Sequence, residues 1–145
     1  MIRNVLVAVD GSKNSDGALD FSLDLAEKYG AAVRILNIIE SPSLGAVPIE
    51  SSTFSGESMV GFVKDLQRFH EEILSKDVAH AKEFKPNVVV SSKLREGEPA
   101  LEIVAEAKDG GFDVVVVGHR GLGRVEELFL GAISEKVAHL VLALS

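Results

Sequence analysis

The sequence predicts an α/β fold, an open and doubly wound parallel sheet with helices on both faces. Strand-like apolar runs alternate with amphipathic helical segments along the chain. Residues 5–9 and 112–117 are nearly continuous runs of β-branched and other apolar residues, which is typical of strands buried on both faces. Apolar residues make up 46% of the chain and charged residues 26%, so residues 1–145 are expected to form a single domain with one hydrophobic core.

A β-α-β unit is predicted for the first 39 residues. Residues 5–9 form the first strand, and residues 32–39 form the second. Between them, apolar residues recur at helical spacing and predict a helix over residues 15–29 that ends before Gly30. The connection should be right-handed, as nearly all such crossovers are.

A long loop and a long helix follow. Residues 40–56 hold two prolines, two glycines and five serines without hydrophobic periodicity, so we expect a loop that is either functional or mobile. Residues 57–83 carry an apolar stripe at steps of three to five, which is typical of an amphipathic helix that covers a sheet face. Pro86 marks the exit of this helix.

The second half of the chain repeats the alternation of strand and helix. A third strand is predicted over residues 88–92, and Glu98-Pro99-Ala100 opens a helix that ends at Gly110-Gly111. Residues 112–117 form the fourth strand. A last helix is predicted from Gly131 through about Leu140, leaving room for only a stub of strand over residues 141–145.

Charge and composition exclude several classes of function. The net charge is −7, so the electrostatic source of nucleic-acid affinity is missing. There are no cysteines, which excludes disulfides, thiolate zinc sites and a cysteine nucleophile. No apolar run has the roughly 18 residues that a membrane span needs, and the first residues lack a signal-peptide pattern. We therefore expect a cytoplasmic protein without nucleic-acid or membrane partners.

Glycines follow the fourth strand in a pattern suited to phosphate. The strand leads into Gly118-His119-Arg120-Gly121-Leu122-Gly123, and a helix is predicted to start at Gly131. Glycines let backbone amides approach phosphate oxygens, and a helix N-terminus adds unpaired N–H groups and a positive dipole end. The spacing alone is weak evidence, but its place between a buried strand and a helix favours nucleotide binding over a purely structural turn.

Three segments together resemble the universal stress protein family. They are Val7-Ala8-Val9-Asp10-Gly11-Ser12, Arg95-Glu96-Gly97-Glu98-Pro99-Ala100 and Gly118-x2-Gly121-x9-Gly131. The resemblance covers essentially the whole chain. It implies a five-stranded, three-layer fold of the adenine-nucleotide-hydrolase type with strand order 3-2-1-4-5, commonly dimeric, whose nucleotide-binding branch holds ATP, with Mg²⁺ carried by the phosphates.

The resemblance also implies a set of site residues. Asp10, with the backbone of Ala8 and Val9, would lie by the ribose and adenine, and the backbone of Ile38 and Ile39 would meet the base edge. The phosphates would be surrounded by Gly118, His119, Gly121, Gly131, Ala132, Ile133 and Ser134. Near these residues in the sequence, Arg120, Gly123 and Arg124 are further candidates for phosphate contact. Arginines and histidines in loops are, however, more often simply solvated.

The chain departs from the family pattern at two places. Ala132 stands where the nucleotide-binding branch usually carries a serine or threonine that donates to phosphate. At the C-terminus, Val141-Leu142-Ala143-Leu144-Ser145 leaves the last strand short or absent, which puts the usual dimer interface in doubt.

Replacing Ala132 with serine is expected to tighten ATP binding by about tenfold to a hundredfold, because a hydrogen bond to a charged group contributes roughly 1.5 to 3 kcal/mol. Calorimetric titration of the wild type and the Ala132→Ser variant with Mg-ATP measures the change. Equal dissociation constants would show that the missing hydroxyl does not limit affinity.

Other functions have less support in the sequence. A response-regulator receiver would need an aspartate after the third strand, where this chain has Ser91-Ser92-Lys93. His70, His80 and His139 lie on predicted helices without ligand-spaced partners and are expected to be surface or boundary residues. No catalytic constellation or P-loop is present, so we predict ATP binding with little or no hydrolysis. A non-nucleotide dimerising module and a weak ATPase remain the alternatives.

Overall fold

The computed structural model describes residues 2–40, 56–118 and 139–143. Its helices and strands, in chain order, are β1 (Asn4–Ala8), α1 (Lys13–Tyr29), β2 (Ala32–Ile39), α2 (Gly56–Phe84), β3 (Val90–Glu96), α3 (Pro99–Asp109), β4 (Val114–Gly118) and β5 (His139–Ala143). The predicted doubly wound topology is confirmed, because β1 to β4 form a parallel sheet in the order β3-β2-β1-β4. The five-residue β5 is placed beside β4, also in parallel.

Alternation along the buried strands creates two apolar cores. In β1, Val5 and Val7 pack on one face of the sheet together with α1 and α2, whereas Leu6 packs on the other face with α3. All three side chains are fully buried. The structure therefore has the predicted three layers, and the nearly continuous apolar runs correspond to strands covered on both sides.

Side-chain caps determine where two helices begin. The Ser12 hydroxyl accepts a hydrogen bond from the backbone N–H of Ser15, so α1 starts at Lys13, two residues earlier than predicted. Gly30 ends α1 in a left-handed conformation with φ 66°. In α3, the Glu98 carboxylate accepts from the N–H of Leu101, and Pro99 occupies the first turn as expected.

Besides shifts of one or two residues at the ends of β1, α1, α2 and β4, two sequence predictions of element bounds are wrong. The third strand covers Val90–Glu96 rather than 88–92, because it lies at an edge of the sheet where polar side chains such as Ser91, Ser92 and Lys93 stay exposed. The last helix does not extend through Leu140, since His139 and Leu140 belong to β5. Residues 131–138 of that helix and 41–55 of the predicted loop lie outside the described residues.

A buried carboxylate joins β2, β3 and α3. Glu106 of α3 is only 1% exposed and forms ion pairs with Arg34 of β2 at 3.0 Å, Lys93 of β3 at 3.2 Å and Arg95 of β3 at 2.7 Å. Arg95 also contacts Glu102 at 2.7 Å. Three cations compensate the desolvation of one carboxylate, so this ion network holds α3 on the sheet.

Asp77 is a second buried acid, between α1 and α2. It is 9% exposed, and within the described part of the chain its Oδ2 has no hydrogen-bond partner. Burial first, and then the nearby charge of Asp16, raise the pKa of this carboxyl to about 6 against the opposing effect of His80 and Lys76. The folded state therefore binds this proton more tightly than the unfolded state does between about pH 4 and 6, and stability falls as pH rises through that window.

Replacing Asp77 with asparagine is expected to raise the free energy of unfolding at pH 7 by about 1 to 2 kcal/mol, because the neutral amide removes the cost of a buried charge. The gain should shrink towards pH 4, where Asp77 is protonated in the folded state and the pH approaches its ordinary pKa of 3.8 in the unfolded state. Urea unfolding at pH 4 and pH 7 measures it, with Asp65→Asn on an exposed position of the same helix as control. A gain independent of pH would contradict the assignment.

The part of the chain that the structure describes contains no helix that is both long enough and apolar enough to cross a membrane.

Candidate functional site

A cleft of about 470 Å³ opens where β1, β2 and β4 end. In open α/β sheets, ligands bind in the crevice beyond the carboxyl ends of the strands. The lining comes from these strand ends, the first residues of α1, and one side each of α2 and α3. It consists of Ala8, Val9, Asp10, Ser12, Ser15, Leu36, Ile38, Glu40, Leu66, His70, Pro99, Ile103, Val117 and Gly118.

The cleft crosses the end of the sheet from one face to the other. Leu66 and His70 of α2 form the wall on the α1 side, and Pro99 and Ile103 of α3 form the wall on the opposite side. The floor between them is apolar and consists of strand residues Leu36, Ile38 and Val117. A flat aromatic group fits such a floor, while polar groups at the rim would fix its orientation.

Asp10 lies at the rim, directly after β1. Its Oδ1 accepts a hydrogen bond from the backbone N–H of Ser12 at 2.8 Å. Partial burial raises the pKa of this carboxyl, but hydrogen bonds from Ser12 and Ser15 outweigh burial and hold the pKa below its ordinary value. The carboxylate is therefore ionised at neutral pH and offers acceptor oxygens to a ligand's hydroxyl groups.

The turn that carries Asp10 requires a glycine at the next position. Gly11 has φ +85°, a conformation that other residues adopt only with strain. A Cβ at this position would also lie 3.2 Å from Cδ1 of Ile73 on α2. The turn after β1 is therefore fixed both by backbone conformation and by the packing of α2.

His70 is held in the cleft wall by a residue of the sheet. Its Nδ1 lies 2.6 Å from Oδ1 of Asn37, a fully buried residue of β2. The ring also makes an edge contact with Phe69 at 5.5 Å between centroids. Burial lowers the pKa of His70, so its imidazole is neutral at neutral pH.

The structure brings part of the predicted site together. Ala8, Val9, Asp10, Ile38 and Gly118 all line the cleft. Ile39 is not part of this lining and instead lines a second cavity, of about 250 Å³, formed with residues of α2 and β3. The remaining predicted residues lie outside the described ranges; they are His119, Arg120, Gly121, Gly123, Arg124, Gly131, Ala132, Ile133 and Ser134.

Sequence reasoning missed several residues of the lining. Ser12 and Ser15 follow the first strand at capping spacing, and that signal could have linked them to Asp10. The boundary position predicted for His70 is confirmed, but its partner Asn37 is 33 residues away on another element. Local spacing could not have found this pair.

Over nearly its whole length, the chain matches the sequence model of the Universal stress protein family (Usp), which covers residues 1–141. The chain belongs to this family. Among its relatives is the Universal stress protein YxiE of Bacillus subtilis, 30% identical over 140 residues that cover 97% of this chain and 94% of the relative.

Solved structures of universal stress proteins have the same fold. The universal stress protein UspA from Lactobacillus plantarum superposes with a TM-score of 0.72 at 13% identity, covering 99% of this chain and 98% of that one. A family protein from Arabidopsis thaliana with AMP bound gives 0.66 at 19% identity, covering 99% and 93%. The protein from Archaeoglobus fulgidus in complex with dAMP gives 0.61 at 22% identity, covering 97% and 98%.

Proposed function

We propose that this universal stress protein binds an adenine nucleotide, ATP, as a regulatory or switch ligand, with little or no hydrolysis. The observation that carries the proposal is the cleft beyond β1, β2 and β4, which combines an apolar floor with the ionised Asp10 at its rim. Family members with this fold have been solved with AMP and with dAMP, which supports an adenine nucleotide as the ligand here.

The described residues fit the nucleoside part of such a ligand. The cleft of about 470 Å³ is within the range of roughly 300 to 1,000 Å³ that is usual for small-molecule sites. The apolar floor around Ile38 suits the base, and the Asp10 carboxylate suits the two ribose hydroxyls because it only accepts hydrogen bonds at neutral pH. The walls from α2 and α3 exclude water from both sides of the base.

The phosphates are proposed to extend from Gly118 into the glycine-rich segment after β4. Backbone amides of this segment and of the region after Gly131 would bind the phosphate oxygens, and Mg²⁺ would be carried by the phosphates themselves. His119, Arg120 and Arg124 are the side chains within this stretch that would add charge. Such a cluster of backbone amides stabilises the ground state of bound ATP, whereas ATP hydrolysis also needs a group that positions water.

Titration calorimetry of the nucleotide-stripped protein with Mg-ATP, ADP and AMP at one salt concentration tests the proposal. Saturable binding at micromolar concentration is the expected result. No heat, together with an unchanged melting temperature at millimolar ATP, would contradict it.

The absence of binding would favour a dimerising module without nucleotide, a second candidate that rests on Ala132 in place of a phosphate-binding hydroxyl. Phosphate release above that of a Gly121→Val control would instead indicate a weak ATPase. The proposal includes a homodimer in the cytoplasm, and sedimentation with and without ATP tests the oligomeric state.

A further inference from the structure

We propose that His70 selects the base of the nucleotide: held by Asn37 in one tautomer, it presents Nε2 as a hydrogen-bond acceptor that recognises the 6-amino group of adenine. This inference rests on the proposed function and specifies one determinant of its ligand. It assigns base selectivity to a side chain of α2, an element that the glycine and aspartate motifs do not include.

Contact with Asn37 determines which ring nitrogen of His70 carries the proton. Nδ1 of the ring and Oδ1 of the amide are 2.6 Å apart, a hydrogen-bond distance. An amide oxygen only accepts, so Nδ1 must carry the proton and donate. In a neutral imidazole the other nitrogen, Nε2, is then unprotonated and acts as an acceptor.

Among the described residues, His70 is the hydrogen-bond partner of the Asn37 side chain. Asn37 is fully buried, and its Nδ2 has no partner among the described residues. An unsatisfied buried amide proton is costly, and an apolar residue at this position would avoid that cost. The contact that the amide does make is the one with His70, which fixes the orientation and protonation of the ring.

The ring is also in the right place for a base. Asn37 immediately precedes Ile38, whose side chain forms part of the cleft floor, and His70 lines the adjoining wall. Asn37 lies on the Nδ1 side of the ring, and in the proposed complex the edge with Nε2 faces the cleft that His70 lines. Among the described residues, no hydrogen bond to Nε2 is found. A base on the floor would therefore present its edge to an acceptor.

This acceptor discriminates between two purines of nearly equal shape. Adenine has an amino group at position 6, which donates, whereas hypoxanthine has a carbonyl there, which accepts. The carbonyl oxygen of hypoxanthine and Nε2 are both acceptors, so no hydrogen bond would form between them. We expect ATP to bind about tenfold more tightly than ITP through this contact, the size of one hydrogen bond.

Calorimetric titration of the His70→Phe variant with ATP and ITP is the first test. An aromatic ring is kept but the acceptor nitrogen is lost, so the ratio of the ITP and ATP dissociation constants should move about tenfold towards unity. His80→Phe is the matched control, because His80 lies on the same helix, is exposed and pairs with Asp20 away from the cleft lining. Its ratio should equal that of the wild type.

A second measurement requires no variant. Nitrogen-15 chemical shifts of the His70 ring in the wild type distinguish protonated Nδ1 from protonated Nε2. A proton on Nε2 would overturn the inference, since Asn37 would then be donating and His70 would offer no acceptor. An unchanged ratio of ATP to ITP binding in His70→Phe would also overturn it while leaving nucleotide binding intact, whereas a wild type that binds no nucleotide would overturn both proposals.

Discussion

Replacing Glu106 with glutamine is expected to lower the free energy of unfolding by about 3 kcal/mol. The carboxylate is almost fully buried and is the shared partner of Arg34, Lys93 and Arg95. A neutral amide keeps the shape but removes the counter-charge of Arg34 and Lys93, and one of the carboxylate partners of Arg95, which still pairs with Glu102. We expect the lower end of the range known for broken buried ion pairs, because these cations are partly exposed and can regain water. Urea unfolding at pH 7 measures the loss.

Glu102→Gln is the matched control for this change. Its carboxylate also pairs with Arg95, at 2.7 Å, but is 25% exposed, so the loss should be below about 1 kcal/mol. Equal losses in the two variants would show that burial of Glu106 contributes nothing to the effect.

The same network gives stability a dependence on acid. Burial raises the pKa of the Glu106 carboxyl, but hydrogen bonds from Arg95, Lys93 and Arg34 outweigh it and hold the pKa below its ordinary value. The contribution is therefore fully present above pH 4.5, the value of an unperturbed glutamate, and is lost as pH falls through the lower pKa of the folded state. In Glu106→Gln, this part of the acid sensitivity should disappear.

Replacing Asp10 with alanine is expected to weaken ATP binding by about a hundredfold. The ionised carboxylate at the rim would accept hydrogen bonds from both ribose hydroxyls, and bonds to a charged group contribute roughly 1.5 to 3 kcal/mol each. Alanine also removes the acceptor for the backbone N–H of Ser12, so the start of α1 loses part of its support. Titration calorimetry with Mg-ATP measures the loss in affinity.

Asp65→Asn is the control for Asp10→Ala, since Asp65 is exposed on α2 and is not part of the cleft lining. Its ATP affinity should match that of the wild type. A melting curve of Asp10→Ala separates a binding defect from unfolding. Wild-type affinity in Asp10→Ala would remove this residue from the proposed site.

The sequence predicts most accurately the strands whose two faces have the same environment. β1 and β4 are buried on both faces, so their composition alone identifies them. β3 was misplaced because an edge strand exposes Ser91, Ser92 and Lys93, and such residues resemble a loop. At His139 and Leu140, short apolar spacing fits either a helix or a strand, and pairing with β4 is what decides the matter.

The candidate site was predictable to the extent that it follows strand ends. Ala8, Asp10 and Gly118 could be placed because parallel topology gathers the carboxyl ends of β1 and β4. The contribution of α2 was not, since His70 reaches the cleft only through helix packing and an amide from β2. In the sequence, Glu106 likewise resembles a solvated acidic residue of a helix. Its three partners lie on strands of the sheet, so its burial is evident only from the structure.

The ion network of Glu106 also affects how the domain opens. β3 lies at an edge of the sheet, where strands usually separate first, but its Lys93 and Arg95 are bound to carboxylates of α3. Detaching the strand alone would strip a buried charge of two of its three partners. We therefore expect β3 and α3 to open as one cooperative unit, with their backbone amides exchanging hydrogen through a shared opening rather than by progressive fraying of the edge.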